Sequence, residues 1–260
     1  MVVPLFFLAM PVSGNADTFA SIEQALHAPE TVTRLELRGN DPTVKHLPPG
    51  LGQLVHLRAL HIQCMEALED LPSEISNLTE LEELVIDNGN GCTMNVTLPE
   101  SLGRLRHLKV LTLYGALDQR DGNHPVRPER MKHLPDSLGQ LVQLEELNLG
   151  RNGLTVVPQQ ISALRNLRLL NLEYNNITTV PDFVGMLDRL QELSLESNNQ
   201  GLLIPDTLSH LKGLKLNMGN SFLSLQEQQK LHDRFPYIVF SFVNEYDDDA
   251  ANEEAPEPQR

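Results

Sequence analysis

The sequence predicts an α/β repeat solenoid: a curved horseshoe with a parallel concave sheet, short helical or 3₁₀ convex segments, and a cap at each end. Three observations carry this. An apolar residue followed by proline recurs at Leu47-Pro48, Leu71-Pro72, Leu98-Pro99, Leu134-Pro135, Val157-Pro158, Val180-Pro181 and Ile204-Pro205, the prolines lying 24, 27, 36, 23, 23 and 24 residues apart. After each proline an apolar residue returns every third position, as in Pro158, Ile161, Leu164, Leu167 and Leu170, and the spacing then tightens to two at Leu172. Asn175 and Asn198 each stand three residues beyond the last leucine of their unit.

Each part of the unit has a physical reason. Leu-x-Leu is a period-two signal, so every unit contributes a short strand with both leucines inward. Three-residue spacing suits a 3₁₀ or helical segment, and proline is tolerated in its first turn. One unit cannot bury its leucine face alone, whereas stacked neighbours share a continuous core. Asn40, Asn152, Asn175 and Asn198 fall where the chain leaves the strand, a structural position where a buried amide can satisfy backbone groups of its own and the adjacent loop. In the middle units Met65, Gly89 and Ala116 replace the asparagine. The last unit is irregular, with Leu216 and Met218 one residue early.

The LPxxLxxLxxLxxLxLxxN run from about Val32 to Ser221 resembles the leucine-rich repeat family. Its spacing of about 23 residues also resembles the plant intracellular Ras-group repeats and their bacterial relatives. The resemblance implies a protein-binding role in a signalling scaffold, immune recognition or host–microbe contact.

Five segments follow. Residues 1–16 are either a signal peptide or an apolar N-terminal segment: Gly14-Asn15-Ala16 resembles a cleavage site, but no Lys or Arg precedes Arg34. Residues 17–31 form an N-terminal helical cap, opened by Ser21-Ile22-Glu23-Gln24. Residues 32–221 hold about eight repeats with an insertion at 117–133. Residues 222–244 form a helix–strand cap opened by Ser224-Leu225-Gln226-Glu227. Residues 245–260 carry seven acids against Arg260 and read as an acidic disordered tail. Closed at both ends, the chain reads as a complete small protein.

Composition narrows the function. A formal charge of −15 argues against a phosphate-backbone binder, and the apolar runs are too short for an integral membrane protein. No P-loop, GxSxG, HExxH, GxGxxG or kinase signature occurs, so neither an enzyme nor a cofactor is expected. Cys64 and Cys92 sit at different offsets in neighbouring units; a bridge is conceivable in an exported protein, and two unrelated thiols are the expectation. Asn77, Asn95 and Asn176 open glycosylation-acceptor triplets of a kind expected by chance.

The function expected is a non-enzymatic protein-binding module that uses its concave face. Residues before, between and after the strand leucines make three columns on that face, where seven acids oppose three bases. The candidate contacts are Val85, Val110, Thr112, Tyr114, Asn148, Asn171, Glu173 and Glu196, because a central aromatic in a polar rim suits a protein interface. Arg120, Arg127 and Arg130 of the insertion are candidate anchors, though the insertion reads equally as a tolerated surface loop. The partner is a protein, with no nucleic acid and no integral membrane contact, and the chain is a monomer. Secreted or periplasmic localisation is expected, with a cytoplasmic scaffold as the alternative. Other readings are an exported receptor for glycans or peptides and, remotely, a hydrolase using Asp121 and His124.

Overall fold

The structure is a computed structural model that describes residues 18–19, 21–39, 43–88, 92, 94–117 and 134–242 of the 260-residue chain. The segments 1–16 and 245–260, most of the insertion with Asp121 and His124, and Asn40 therefore lie outside the described residues.

Among the described residues ten strands form one parallel sheet in chain order. They are β1 (Thr18–Phe19), β2 (Arg34–Arg38), β3 (Ala59–Gln63), β4 (Glu83–Asp87), β5 (Val110–Tyr114), β6 (Glu146–Asn148), β7 (Leu169–Asn171), β8 (Glu192–Ser194), β9 (Lys215–Asn217) and β10 (Val239–Ser241). The register aligns like positions of successive units, Leu35 with Leu60, Leu84, Leu111, Leu147, Leu170, Leu193 and Leu216. All eight leucines are buried, which couples every unit's core to its neighbours.

The convex side explains the three-residue spacing. Each proline precedes a five-residue 3₁₀ turn, as in Gln159–Ala163 after Pro158. Leu164 N–H then donates to Ile161 O at 3.0 Å and Leu167 N–H to Leu164 O at 3.1 Å. A period of three stacks every third side chain on one face, so Ile161, Leu164 and Leu167 all point into the core and are fully buried. An α-helix would rotate that row out of line.

The early leucine of the last unit is absorbed before the strand. In the preceding unit both Gln191 N–H and Glu192 N–H donate to Arg168 O, whereas in the last unit Lys215 N–H donates to Gln191 O directly after Leu214. Leu216 still pairs with Leu193, so the register survives a one-residue deletion.

Short helices stand at both ends of the sheet. Helix α1 (Ile22–Ala25) has its first turn capped by Ser21, whose hydroxyl accepts from Gln24 N–H. Helix α2 (Leu225–Arg234) opens on a reciprocal capping box between Ser224 and Glu227. Those hydrogen bonds hold the Glu227 carboxyl below the usual carboxylate range. Phe235 and Ile238 are buried against the last repeat.

Candidate functional site

The strand register turns the non-leucine positions into three concave columns. Arg34, Ala59, Glu83, Val110, Glu146, Leu169, Glu192 and Lys215 align in the first. Glu36, His61, Val85, Thr112, Asn148, Asn171, Ser194 and Asn217 align in the second. Arg38, Gln63, Asp87 and Tyr114 begin the third. Beyond Tyr114, Arg151 N–H to Glu173 O and Tyr174 N–H to Glu196 O carry the ladder past Gly150, Glu173 and Glu196.

Burial divides the candidate contacts. Val85, Thr112, Asn148 and Asn171 are 7%, 6%, 9% and 1% exposed. They form the floor of the concave face and expose little surface. The asparagines brace that floor: Asn148 Oδ1 accepts from Gly150 N–H and Asn171 Oδ1 from Glu173 N–H, each at 2.9 Å. Val110, Tyr114, Glu173 and Glu196 are partly exposed and rise above it.

Tyr114 lies across Gly150, where an added Cβ would fall 2.7 Å from the ring's Cε2. Any side chain at 150 would lift the ring. The Arg151 guanidinium stands 5.9 Å from the ring centroid. Burial, with Glu173 and Asp87 nearby, pushes the Tyr114 hydroxyl up to about 12 despite Arg151, so it stays a protonated donor at neutral pH.

At the N-terminal end the columns hold a network that the sequence reading does not contain. Arg34 contacts Glu36 Oε1 at 3.0 Å and His61 Nδ1 at 3.1 Å, and His61 Nε2 lies 3.0 Å from Glu83 Oε1. Arginine only donates, so Nδ1 accepts and Nε2 carries the proton toward Glu83. The Arg34 hydrogen bond holds the Glu36 carboxyl below its ordinary range. Finding this network requires the register that sets Glu36, His61 and Val85 side by side.

The turn after each strand differs between units. Asn175 Oδ1 accepts from Asn152 N–H at 3.1 Å and Leu154 N–H at 3.0 Å, while its Nδ2 donates to Leu149 O and Leu172 O. Asn152 links Leu117 N–H and Leu113 O, and Asn198 links Ile177 N–H and Leu172 O. In the unit that has Met65, Cys64 is joined to Cys92 by a disulfide with Cα atoms 5.4 Å apart. This corrects the expectation of two separate thiols: chain offsets count residues, but the pairing depends on how the lengthened turn returns to its neighbour. Arg120, Arg127 and Arg130 lie outside the described residues, between the buried Leu117 and Leu134 that bound the insertion.

Among the described residues no group of His, Cys, Asp or Glu could hold a metal ion, and no helix is long and apolar enough to cross a membrane.

A leucine rich repeat family model matches residues 130–177 and 142–200. Over 110 residues the chain is 34% identical to the uridine 5′-monophosphate transferase of Xanthomonas campestris pv. campestris, a match covering 40% of this chain and 19% of that protein. The chain thus spans about a fifth of that curated relative. Among solved structures, InlP of Listeria monocytogenes aligns with TM-score 0.60 and 24% identity over 82% of this chain and 55% of its own. An internalin, inlF, of the same organism aligns with TM-score 0.55 and 19% identity over 88% and 66%. These likenesses are of fold. With the repeat register on the page, the chain has the fold of leucine-rich repeat proteins and matches that family's model over residues 130–177 and 142–200.

Proposed function

We propose that this chain is a non-enzymatic binding module that recognises another protein through its concave face. The observation that carries the reading is the placement of Tyr114, half-buried on Gly150 and rising from a hydrogen-bonded floor amid carboxylates. Such a surface is preformed, so association orders little that was mobile before. The transferase match spans 19% of that protein, a share too small to bring its activity here by itself.

The Cys64–Cys92 disulfide supports an exported protein, because such bonds persist in oxidising compartments. The insertion, bounded by Leu117 and Leu134, is proposed to add anchors through Arg120, Arg127 and Arg130 from the side where β5 ends.

The test is quantitative capture from the native source by the wild type, by Gln63→Trp, which blocks the concave face, and by a chain lacking residues 118–132. Partners lost with Gln63→Trp, while melting is unchanged, support the concave face. Retention by both variants would move recognition elsewhere.

A further inference from the structure

The two ends of the solenoid are covered unequally. Helix α1 buries Ile22 and Ala25, whereas none of the ten residues of α2 is buried. Between α2 and the last repeats lies an open crevice of about 230 Å³. Its apolar walls are Leu202, Met218 and Leu223 from the repeats and Leu231 from the helix. Lys230 and Arg234, one helical turn apart on α2, line it as well. Arg234 is paired with Asp206 at 2.6 Å, but among the described residues the Lys230 ammonium forms no ion pair or hydrogen bond. Glu227, the carboxylate on the lining, is held by the Ser224 N–H and hydroxyl of the capping box.

The chain beside this crevice is strained. Phe222 has φ 53°, a left-handed value that bulky residues rarely adopt. Asn220 repeats the turn position of Arg151, so the counterpart of Phe222 in the β6 unit is Gly153 at φ 66°, which has no side chain to object. Phe222 is left 60% exposed and Leu225 83%. Strained residues of this kind concentrate at binding sites.

We infer that the crevice receives the chain's own segment 243–249, with the Tyr246 ring between α2 and the last repeat and the neighbouring carboxylates facing Lys230. The segment starts beside the crevice: Met218, one of its walls, donates from N–H to Ser241 O at 2.8 Å. Tyr246 follows Phe242 by four residues, a reach of about 13 Å. Composition matches too, since Tyr246 is the single aromatic residue of 243–260 and is flanked by Glu245, Asp247 and Asp248. The ring suits the apolar walls and the acids suit the unpaired ammonium. Register leads to the same place. Ser241 pairs with Asn217, and the same offset sets Tyr246 beside the exposed Phe222. A short tether raises the local concentration to about millimolar, so modest contacts suffice. This surface is separate from the concave face and does not depend on the reading given to that face.

The chain contains no tryptophan, so Tyr246→Trp gives the full chain a single emitter. Its emission is expected to be blue-shifted, and acrylamide should quench it severalfold less than in the same chain unfolded in guanidinium. Adding Lys230→Glu, at an exposed position, should restore quenching toward the unfolded level, as should high salt, while a retained cooperative melt shows that the fold persists. Ala255→Trp, beyond the docking segment, should be quenched as freely folded as unfolded. Free quenching of Tyr246→Trp in the folded chain would overturn the docking. Protection indifferent to both Lys230→Glu and Leu202→Arg would overturn the crevice as its site. Protection lost on dilution would overturn the contact within one chain and make a second copy the donor of the segment.

Discussion

The two halves of the solenoid close the same turn by different means. Strands β2–β5 are five residues long and β6–β9 three. In both halves the residue after the strand's last concave position is left-handed: Cys64 at φ 53° and Gly115 at φ 63° in the first, Arg151, Tyr174 and Ser197 at φ 57°, 51° and 52° in the second. A non-glycine residue there costs about 1 kcal/mol. In the C-terminal half the following asparagine offsets that cost by pairing backbone groups of two loops. In the N-terminal half Met65 and Ala116 cannot, and a disulfide ties Cys64 to Cys92 instead. Asn88 supplies a smaller substitute, donating from Nδ2 to Gly115 O. The left-handed turn thus recurs in both halves, though Asn88 after β4 does not adopt it, while the means of holding it is local.

The shared leucine rows, not either device, should dominate stability. Leu170→Asp places an unpaired carboxylate at a fully buried position of β7 and is expected to cost about 5 kcal/mol or more, unfolding both halves together. A normal thermal melt would mean that the inward row is misassigned.

Asn175→Ala is the sharper test of the C-terminal half. It leaves Asn152 N–H, Leu154 N–H and the carbonyls of Leu149, Leu172 and Glu173 without the amide. Several buried groups lose a partner at about 1–3 kcal/mol each, partly recovered by water, so a loss of about 4 kcal/mol is expected. Hydrogen exchange should quicken first at Asn152 and Leu154, whereas uniform acceleration from β2 to β9 would abolish the distinction between halves.

Cys64→Ser with Cys92→Ser tests the other half. The bond closes a chain separation of 28 residues, and releasing it adds denatured-state entropy worth about 3.5 kcal/mol in the loop-closure model. Exchange should rise around β3 and β4 and leave the Asn175 ladder protected. Equal loss of protection in β7 would show that the units are too strongly coupled for either device to act locally.

Legibility in the sequence follows the same division. Period two followed by period three specifies strand and 3₁₀ turn together, so the register of Leu147, Leu170 and Leu193 can be read before any coordinate. The position of Asn175, three after Leu172, is equally regular. The disulfide is not legible, because the 27-residue interval between Pro72 and Pro99 breaks phase where Cys92 lies. Membership of the concave columns follows from alternation, but exposure within them does not. Asn171 and Glu173 share that face, yet one is floor and the other rim, since the curved sheet crowds its central column.

The smallest effect concerns Glu146, at the start of the C-terminal half. Glu146 on β6 has its carboxyl raised by burial first, with Arg168 opposing and Glu145, Glu83 and Glu192 adding to the rise. The folded state therefore holds this proton more tightly than the unfolded chain. Between the unfolded value near 4.5 and the higher folded value, the native state binds more protons and stability falls as pH rises. Glu146 thus opposes folding at neutral pH and ceases to do so in acid. Glu146→Gln should melt slightly higher than wild type at pH 7, with the gap closing as pH falls toward 4.5. Glu36 behaves oppositely: lowered by Arg34, it contributes stability above its unfolded value that is lost as pH falls through the lower folded one. A Glu146→Gln melt below wild type at neutral pH would show that Arg168 outweighs desolvation at this carboxylate.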